Sequence, residues 1–314
     1  MLLEIPVSPN DSGQRAERFL RRYFPQMGLS RLQSLFRRKE IKIAKRAIER
    51  GYLLRPGDVL QVYGLKPEET LRPDLVAPPW PAGDPIPSVY EDDEILVVNK
   101  PAGVASHPGT GIEPGESLIE RVQAQLGGQE EWSGGLFSPS LVHRLDKDTS
   151  GVLLVAKTGT RLRSLVAALR EGLIHKRYIA LVVGHPHPAA ATIDVPLARE
   201  DNASGAKSRV AEEDGRAALT RYKTLKKIGP YALLQVIIET GRLHQIRAHL
   251  SHIGHPVVGD TRYDRPAAAR QHMKDLGLKH LFLHSEQVSW EENGETRTFM
   301  APLPEDLQAV LGKF

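Results

Sequence analysis

The stretch Leu141-Val-His-Arg-Leu-Asp-Lys-Asp-Thr-Ser-Gly151 crowds two carboxylates, Asp146 and Asp148, among His143, Arg144 and Lys147, with hydroxyls at Thr149 and Ser150. It stands directly ahead of Val152-Leu-Leu-Val-Ala156, an apolar run that reads as a buried strand. A loop held by such a strand is where reactive side chains are presented. Arg144 and Lys147 flank Asp146, and neighbouring cations favour an ionised carboxylate, the form that a nucleophile or base requires. The same residues also permit a plain turn, closed by Asp146 and Asp148 through backbone hydrogen bonds. Local chemistry leaves both readings open.

The elements that must hold this loop form two unequal parts. Residues 13–50 carry 12 Lys/Arg against 3 Asp/Glu, while the 314-residue chain as a whole is only +4. A basic module on a near-neutral body points to a nucleic-acid anchor, with a solvated helix face as the plainer alternative. Within it, Ala16, Phe19, Leu20 and Tyr23 fall on one helical face, and Arg15, Arg18, Arg21 and Arg22 fall elsewhere. Ser30 is placed to cap a second helix with Leu32, Leu35 and Phe36 inward and Arg31, Arg37 and Arg38 outward. Lys39 follows that helix, and Lys42 alternates with Ile41 and Ile43 in a short strand; Leu53-Leu54 and Val59–Val62 complete a small sheet. Its few aromatics favour phosphate contact over base stacking.

Seven prolines between residues 64 and 88 forbid a helix and predict an extended linker. Beyond it the chain predicts strands at 95–98, 152–156, 178–183, 232–238, 281–283 and 286–290, with a helix over 160–170. The order lacks a steady strand–helix alternation, so the fold class expected is α+β.

Several functions are excluded. With no cysteine there is no disulfide framework, thiolate zinc site, cysteine-ligated iron–sulfur cluster or cysteine nucleophile. His244, His249, His252 and His255 diverge around a helix that Gly254 and Pro256 would end, and no metal site is expected. Gly109–Gly115 has the wrong spacing for a dinucleotide fingerprint, and no phosphate-loop or serine-hydrolase motif occurs. The N-terminus lacks the basic head and apolar core of a signal peptide, and apolar runs of about five residues are far short of a membrane span. A cytoplasmic protein is expected.

His143–Gly151 with the strand after it resembles the catalytic motif of the pseudouridine synthases of the ribosomal large-subunit group (Rlu-A type). Asn99-Lys-Pro-Ala-Gly103 with His107-Pro-Gly109, Lys176-Arg-Tyr-Ile-Ala180, and Thr240-Gly-Arg-Leu-His-Gln-Ile-Arg-Ala-His249 running on to Gly254–Asp260 follow in the family's order. Leu281–His284 and Ala301-Pro302 also fit, so the likeness spans about residues 89–305. Residues 13–63 resemble the S-four RNA-binding domain, departing at Ala44-Lys45-Arg46, where that family often has an Asn-Gly turn.

The resemblance implies a pseudouridine-synthase fold, a mixed and mainly antiparallel sheet flanked by helices and loops, preceded by a small basic α/β RNA-binding domain. It places the RNA-binding domain at 1–63, the linker at 64–88 and the catalytic domain at 89–314. Asp146 matches the nucleophile and Tyr178 the tyrosine stacked on the uracil. Arg247 matches the partner of the catalytic carboxylate, and Arg144 the arginine that fills the gap left by the flipped base. His143, Arg144 and the N-terminal cations are expected to contact RNA. The substrate implied is large-subunit (23S) ribosomal RNA, free or in pre-ribosomal particles, handled by a monomer without cofactor, metal or membrane. A non-catalytic RNA-binding or ribosome-assembly factor on this fold, and the same reaction on transfer RNA, are the alternatives.

Overall fold

The computed structural model describes residues 2–66, 69, 86–127, 137–202 and 205–314. Most of the proline-rich stretch expected over 64–88 therefore lies outside the described residues. The small N-terminal unit consists of β1 (Leu3–Pro6), a 3-10 turn at Pro9–Asp11, α1 (Ala16–Tyr23), α2 (Leu29–Arg37), β2 (Ile41–Ile43), β3 (Arg46–Ala47) and β4 (Val59–Val62). Its antiparallel sheet runs β1-β4-β2-β3. Phe19 and Leu20 from α1 and Leu32 and Leu35 from α2 pack onto Ile5, Ile41, Leu60 and Val62. All but Ile5 are apolar positions that helical and strand periodicity single out.

Three local readings need correction. The N-cap of α2 is Gly28, without a side-chain cap, and Ser30 lies inside the helix. Leu53 makes only an isolated bridge to Arg15, so Leu53-Leu54 is not a full strand. β1 has no counterpart in the sequence reading; its Pro6 is tolerated because β1 is an edge strand. The β2–β3 turn puts Ala44 and Lys45 at φ 47° and 65°. This is the left-handed pair that Asn-Gly adopts cheaply and other residues adopt at about 1–2 kcal/mol each. A hydrogen bond from the Lys45 N–H to Gln61 Oε1 at 3.1 Å offsets part of that cost.

The larger part is built from β5 (Ser88–Glu91), β6 (Ile95–Lys100), α3 (Leu118–Gly127), β7 (Ser140–Leu141), β8 (Ser150–Ala156), α4 (Gly159–Arg170), β9 (His175–Val183), β10 (Ala190–Asp194), β11 (Leu197–Asn202), β12 (Gly205–Val210), β13 (Leu219–Ile228), β14 (Tyr231–Ile238), α5 (Gln245–His252), α6 (Pro266–Leu276), β15 (Leu283–Glu292), β16 (Glu295–Met300) and α7 (Glu305–Leu311). Ten strands form one sheet in the order β10-β13-β14-β9-β15-β8-β6-β5, with β16 on β15 and β7 on β8. The β15–β8 pairing is parallel and the other pairings antiparallel, which gives the mixed sheet expected. β11 and β12 form a separate hairpin.

Every residue of β8 is buried, because both faces of the sheet are covered. Leu153 and Val155 join Leu96, Val98, Val122, Tyr178, Ala180 and Val236 in one core, while Val152 and Leu154 join Ile95, Val97, Leu165 and Val288 in another. The alternation along β9 puts Lys176 and Tyr178 on the first of these faces. The strands expected at 281–283 and 286–290 are one strand, β15, with a bulge between Ser285 and Gln287. Leu65 is buried in the small core, and Glu69 bonds to Arg31, so the N-terminal unit reaches past residue 63.

Candidate active site

The loop between β7 and β8 is fastened from below. Ser106 Oγ donates to the Leu145 carbonyl at 2.6 Å and accepts the Leu145 N–H at 3.1 Å. The Gly103 N–H and the Lys100 Nζ both donate to the Lys147 carbonyl, each at 2.9 Å. Gly151 then carries the chain into β8 with φ at +114°, and a Cβ there would sit 2.1 Å from the Ser285 carbonyl oxygen. Only glycine allows that approach to β15. A turn does close here, through the Thr149 N–H and the Asp146 carbonyl at 3.1 Å, but it uses the backbone. The Asp146 carboxylate is left for another partner.

That partner is Arg247 on α5. Its Nη1 donates to Asp146 Oδ2 at 2.9 Å, while Nε and Nη2 grip the two oxygens of Asp260 at 2.6 and 2.8 Å. Burial works against the Arg247 charge, yet the bonds and charge of Asp260, helped by Asp146, hold it more firmly protonated than an ordinary arginine. The Tyr263 ring lies 5.1 Å under the guanidinium. The start of α5 is itself pinned, since Gln245 donates to the Leu219 carbonyl and accepts from Thr240 Oγ1 and the Arg242 N–H. Asp146 Oδ1 has no partner among the described residues, and a nucleophile needs such a free oxygen.

Asp146 opens into a cavity of about 820 Å³ lined by Ser106, Arg144, Tyr178, Gly241, His244 and Arg247 among others. Tyr178 is 5% exposed. Burial raises its phenol above the ordinary range and Asp146 adds to this, with the Ser285 hydroxyl opposing, so it is neutral at any working pH. Arg144 is exposed at the mouth, and its charge joins burial in lowering the pKa of His107. His244 opens α5 in a left-handed conformation, φ 49°, with Nε2 3.9 Å from Asp146 Oδ2. Its Nδ1 is 3.2 Å from the Tyr263 hydroxyl, whose oxygen already accepts the Ser208 N–H at 2.7 Å.

The site thus gathers Asp146, Tyr178, Arg247 and Arg144, all four expected from the sequence. His143 is different. Its Nε2 accepts the Leu154 N–H at 3.2 Å and the ring is buried in the cavity wall, so the expected RNA contact is corrected to a neutral packing group. Arg31 is also corrected: it donates to both oxygens of Glu69 and to the Gly64 carbonyl, an internal tie rather than a free cation. Lys42 is half-buried, 4.8 Å over the Tyr63 ring. Arg15, Arg18, Arg37, Arg38 and Lys39 are exposed on the small unit, and none of them lines the cavity. The sequence reading missed Asp260 and Lys100 as parts of the site, although both stand inside motifs it quoted.

The RNA pseudouridylate synthase family model matches residues 94–252, which hold the loop, β9 and α5. The chain belongs to the RNA pseudouridine synthase family. It is 34% identical to the ribosomal large subunit pseudouridine synthase C of Vibrio parahaemolyticus, over 98% of this chain and 95% of that protein. It is 38% identical to an uncharacterized RNA pseudouridine synthase of Chloroflexus aurantiacus, over 98% and 92%. The solved structure of human RNA pseudouridylate synthase domain containing 4 shares the fold, with a TM-score of 0.58 at 24% identity, covering 72% of this chain and 92% of that one.

In this synthase two buried histidines make stability depend on acid. Burial lowers His143 to about 3, helped by Lys176, and lowers His244 to about 4, with Asp146 opposing. Both stay neutral in the fold while the unfolded chain protonates near pH 6.5, so stability is full above that value and falls as pH drops towards 4. Two protons correspond to a slope of about 2.7 kcal/mol per pH unit. Urea unfolding at pH 7, 6, 5 and 4.5 measures it; equal stability at pH 7 and 5 would refute the assignment.

Proposed function

We propose that the synthase isomerises uridines in large-subunit ribosomal RNA with Asp146 as its nucleophile. The observation that carries this reading is the Asp146–Arg247–Asp260 arrangement, in which Arg247 holds Oδ2 of Asp146 at 2.9 Å, Oδ1 has no partner among the described residues, and Asp146 lines the cavity. A guanidinium clamped on a second carboxylate cannot swing, so it fixes the direction of the first. The target base must leave its stack to reach a carboxylate in such a cavity. Tyr178 offers the flipped uracil an aromatic face, and Arg144 at the mouth is placed to enter the gap. Oδ1 then attacks the glycosidic carbon or the base ring, and the bond so formed breaks again before the product leaves, returning the carboxylate. The bond from the sugar carbon to N1 breaks, a bond from the same carbon to C5 forms, the C5 proton leaves and N1 gains one. The sum is an isomerisation that balances without redox agent or group donor.

The choice of ribosomal RNA rests on the name of the Vibrio relative, aligned over nearly the whole chain. In the same reading, residues 1–63 with Leu65 form an S-four-like anchor that meets phosphates through Arg15, Arg18, Arg37, Arg38 and Lys39. Residues 64–88 connect it to a catalytic unit of 89–314. The test is pseudouridine mapping of ribosomal and transfer RNA from cells lacking the gene, rescued with wild type or Asp146→Asn. A 23S position restored by wild type and not by the variant is the expected result. A restored transfer-RNA position would reassign the substrate, and equal rescue by both would remove Asp146 as nucleophile.

A further inference from the structure

Two lysines are buried beside the catalytic cavity, and among the described residues only one has hydrogen-bond partners. Lys100, fully buried, spends its three N–H donors on the carbonyls of Pro101, Val104 and Lys147 at 2.7–2.9 Å. Lys176 is 5% exposed and lines the cavity, yet among the described residues no acceptor lies within hydrogen-bond reach of its Nζ. Ile238 pairs with Lys176 across β14 and β9, and Glu239 after it, which also lines the cavity, gives its carboxylate to Arg221. His143 in the same wall accepts the Leu154 N–H on Nε2, which leaves its Nδ1 as a buried N–H, also without a partner. Two donors in this wall, the Lys176 ammonium and the His143 Nδ1–H, thus have no partner among the described residues.

A buried cation without a partner weakens a fold, and Lys176 carries that cost, since burial lowers its pKa to about 8. Such a group points to a ligand that supplies the missing negative charge. Access exists through the exposed Gly241: a Cβ there would meet nothing within 4 Å except Lys176 Nζ, at 3.7 Å. Position along β9 narrows the ligand. Lys176 stands two residues before Tyr178 on the same face, about 7 Å along the strand. Lys176, Tyr178 and Asp146 line the same cavity, and the strand spacing sets Lys176 one step along the wall from Tyr178.

We propose that Lys176 is an anion subsite for the substrate, its ammonium taking a backbone phosphate next to the target uridine while Tyr178 holds the base. This rests on the reading of the Asp146 cavity as the uridine site. Three observations test it on a synthetic RNA fragment bearing the mapped uridine. Lys176→Met raises KM about tenfold with kcat little changed, and reduces the slope of log kcat/KM against log salt by about 0.7, the share of one phosphate on a single strand. It also raises the melting temperature, because an unpaired buried charge has gone. A neutral methylphosphonate on the 5′ or the 3′ side of the uridine weakens wild type by a similar factor at one of these positions and leaves Lys176→Met unaffected there.

A fall in kcat at constant KM would instead assign Lys176 to the detached base, and a lower melting temperature with normal KM would make it structural. If Lys176→Met does not fold, the methylphosphonate series on wild type still decides: no effect at either position overturns the subsite. Asp146→Asn assayed in parallel separates the two readings. An active Asp146→Asn enzyme overturns the location of the site, whereas an inactive one beside a kinetically normal Lys176→Met overturns the subsite alone.

Discussion

Asp146→Asn is expected to slow pseudouridine formation by at least about 10,000-fold, the scale seen when a catalytic nucleophile is removed, and to leave the melting temperature near that of wild type. The amide keeps the shape of the carboxylate and cannot form the covalent bond. Stability is spared because the Asp146 side chain is 24% exposed and Arg247 keeps its two bonds to Asp260. Asp260→Asn reverses the pattern. That carboxylate is fully buried and bonded to Nε and Nη2 of Arg247, and its Oδ1 also accepts the Arg262 N–H at 3.0 Å. Breaking a buried pair from one side costs about 3–5 kcal/mol, and activity falls because the guanidinium loses the clamp that aims it. Single-turnover kinetics and thermal unfolding of both variants distinguish the roles. An Asp146→Asn enzyme within a hundredfold of wild type, or an Asp260→Asn enzyme that melts normally, would refute the corresponding assignment.

The sequence made Asp146, Arg144, Tyr178 and Arg247 legible because each stands in a short motif whose order along the chain is itself informative. Strand periodicity went further with Tyr178, since alternation alone puts it on one face of β9 with Lys176. What the sequence could not show is contact at long range. The Ser150 Oγ lies 2.9 Å from His284 Nδ1 across 134 residues, at the one parallel pairing in the large sheet, and no local pattern announces it. Asp260 was visible as part of a motif, but a carboxylate that grips an arginine looks the same in sequence as one that ends a turn. His143 was expected to meet RNA as part of the motif around Asp146; its neighbour in space, the Leu154 N–H, belongs to the adjacent strand. Arg31 read as a free cation because its partner Glu69 lies in the proline-rich stretch, where no fold was expected.

The element bounds were missed for a different reason. β13 carries Thr220 and Tyr222 inward between Arg221 and Lys223, but its lysine-rich far half hides the alternation. α5 opens at a left-handed histidine without a side-chain cap, so it lacks the usual start signal. Both elements serve the site: β13 receives the Gln245 side chain that anchors α5, and α5 delivers Arg247. Local rules fail most where tertiary bonds replace local ones.

Lys100→Met is the second large effect expected, and magnitudes decide its sign. Burial lowers the ammonium from 10.5 to about 7, against the pull of Asp148 and Asp146, a penalty worth about 5 kcal/mol that methionine would remove. On the other side stand three charge-assisted bonds to carbonyls, about 1.5–3 kcal/mol each, and two acceptors, the Pro101 and Val104 carbonyls, left without donors, since the Lys147 carbonyl keeps the Gly103 N–H. The bonds win, so the variant is less stable by about 2–4 kcal/mol and melts roughly 5–10 °C lower. Activity falls as well, by about 100-fold, because the Lys147 carbonyl that Lys100 holds is the residue after Asp146, and a shift of about 1 Å at the reacting carboxylate has that effect. Lys176→Met changes the same residue type at a second buried position, one that lines the cavity, and is expected to move the melting temperature upward. Opposite signs for the two substitutions would show that the fold is built around the ammonium of Lys100 and bears the ammonium of Lys176 for the sake of RNA. Equal signs would remove the distinction, since a lysine that stabilises the fold needs no ligand to account for it.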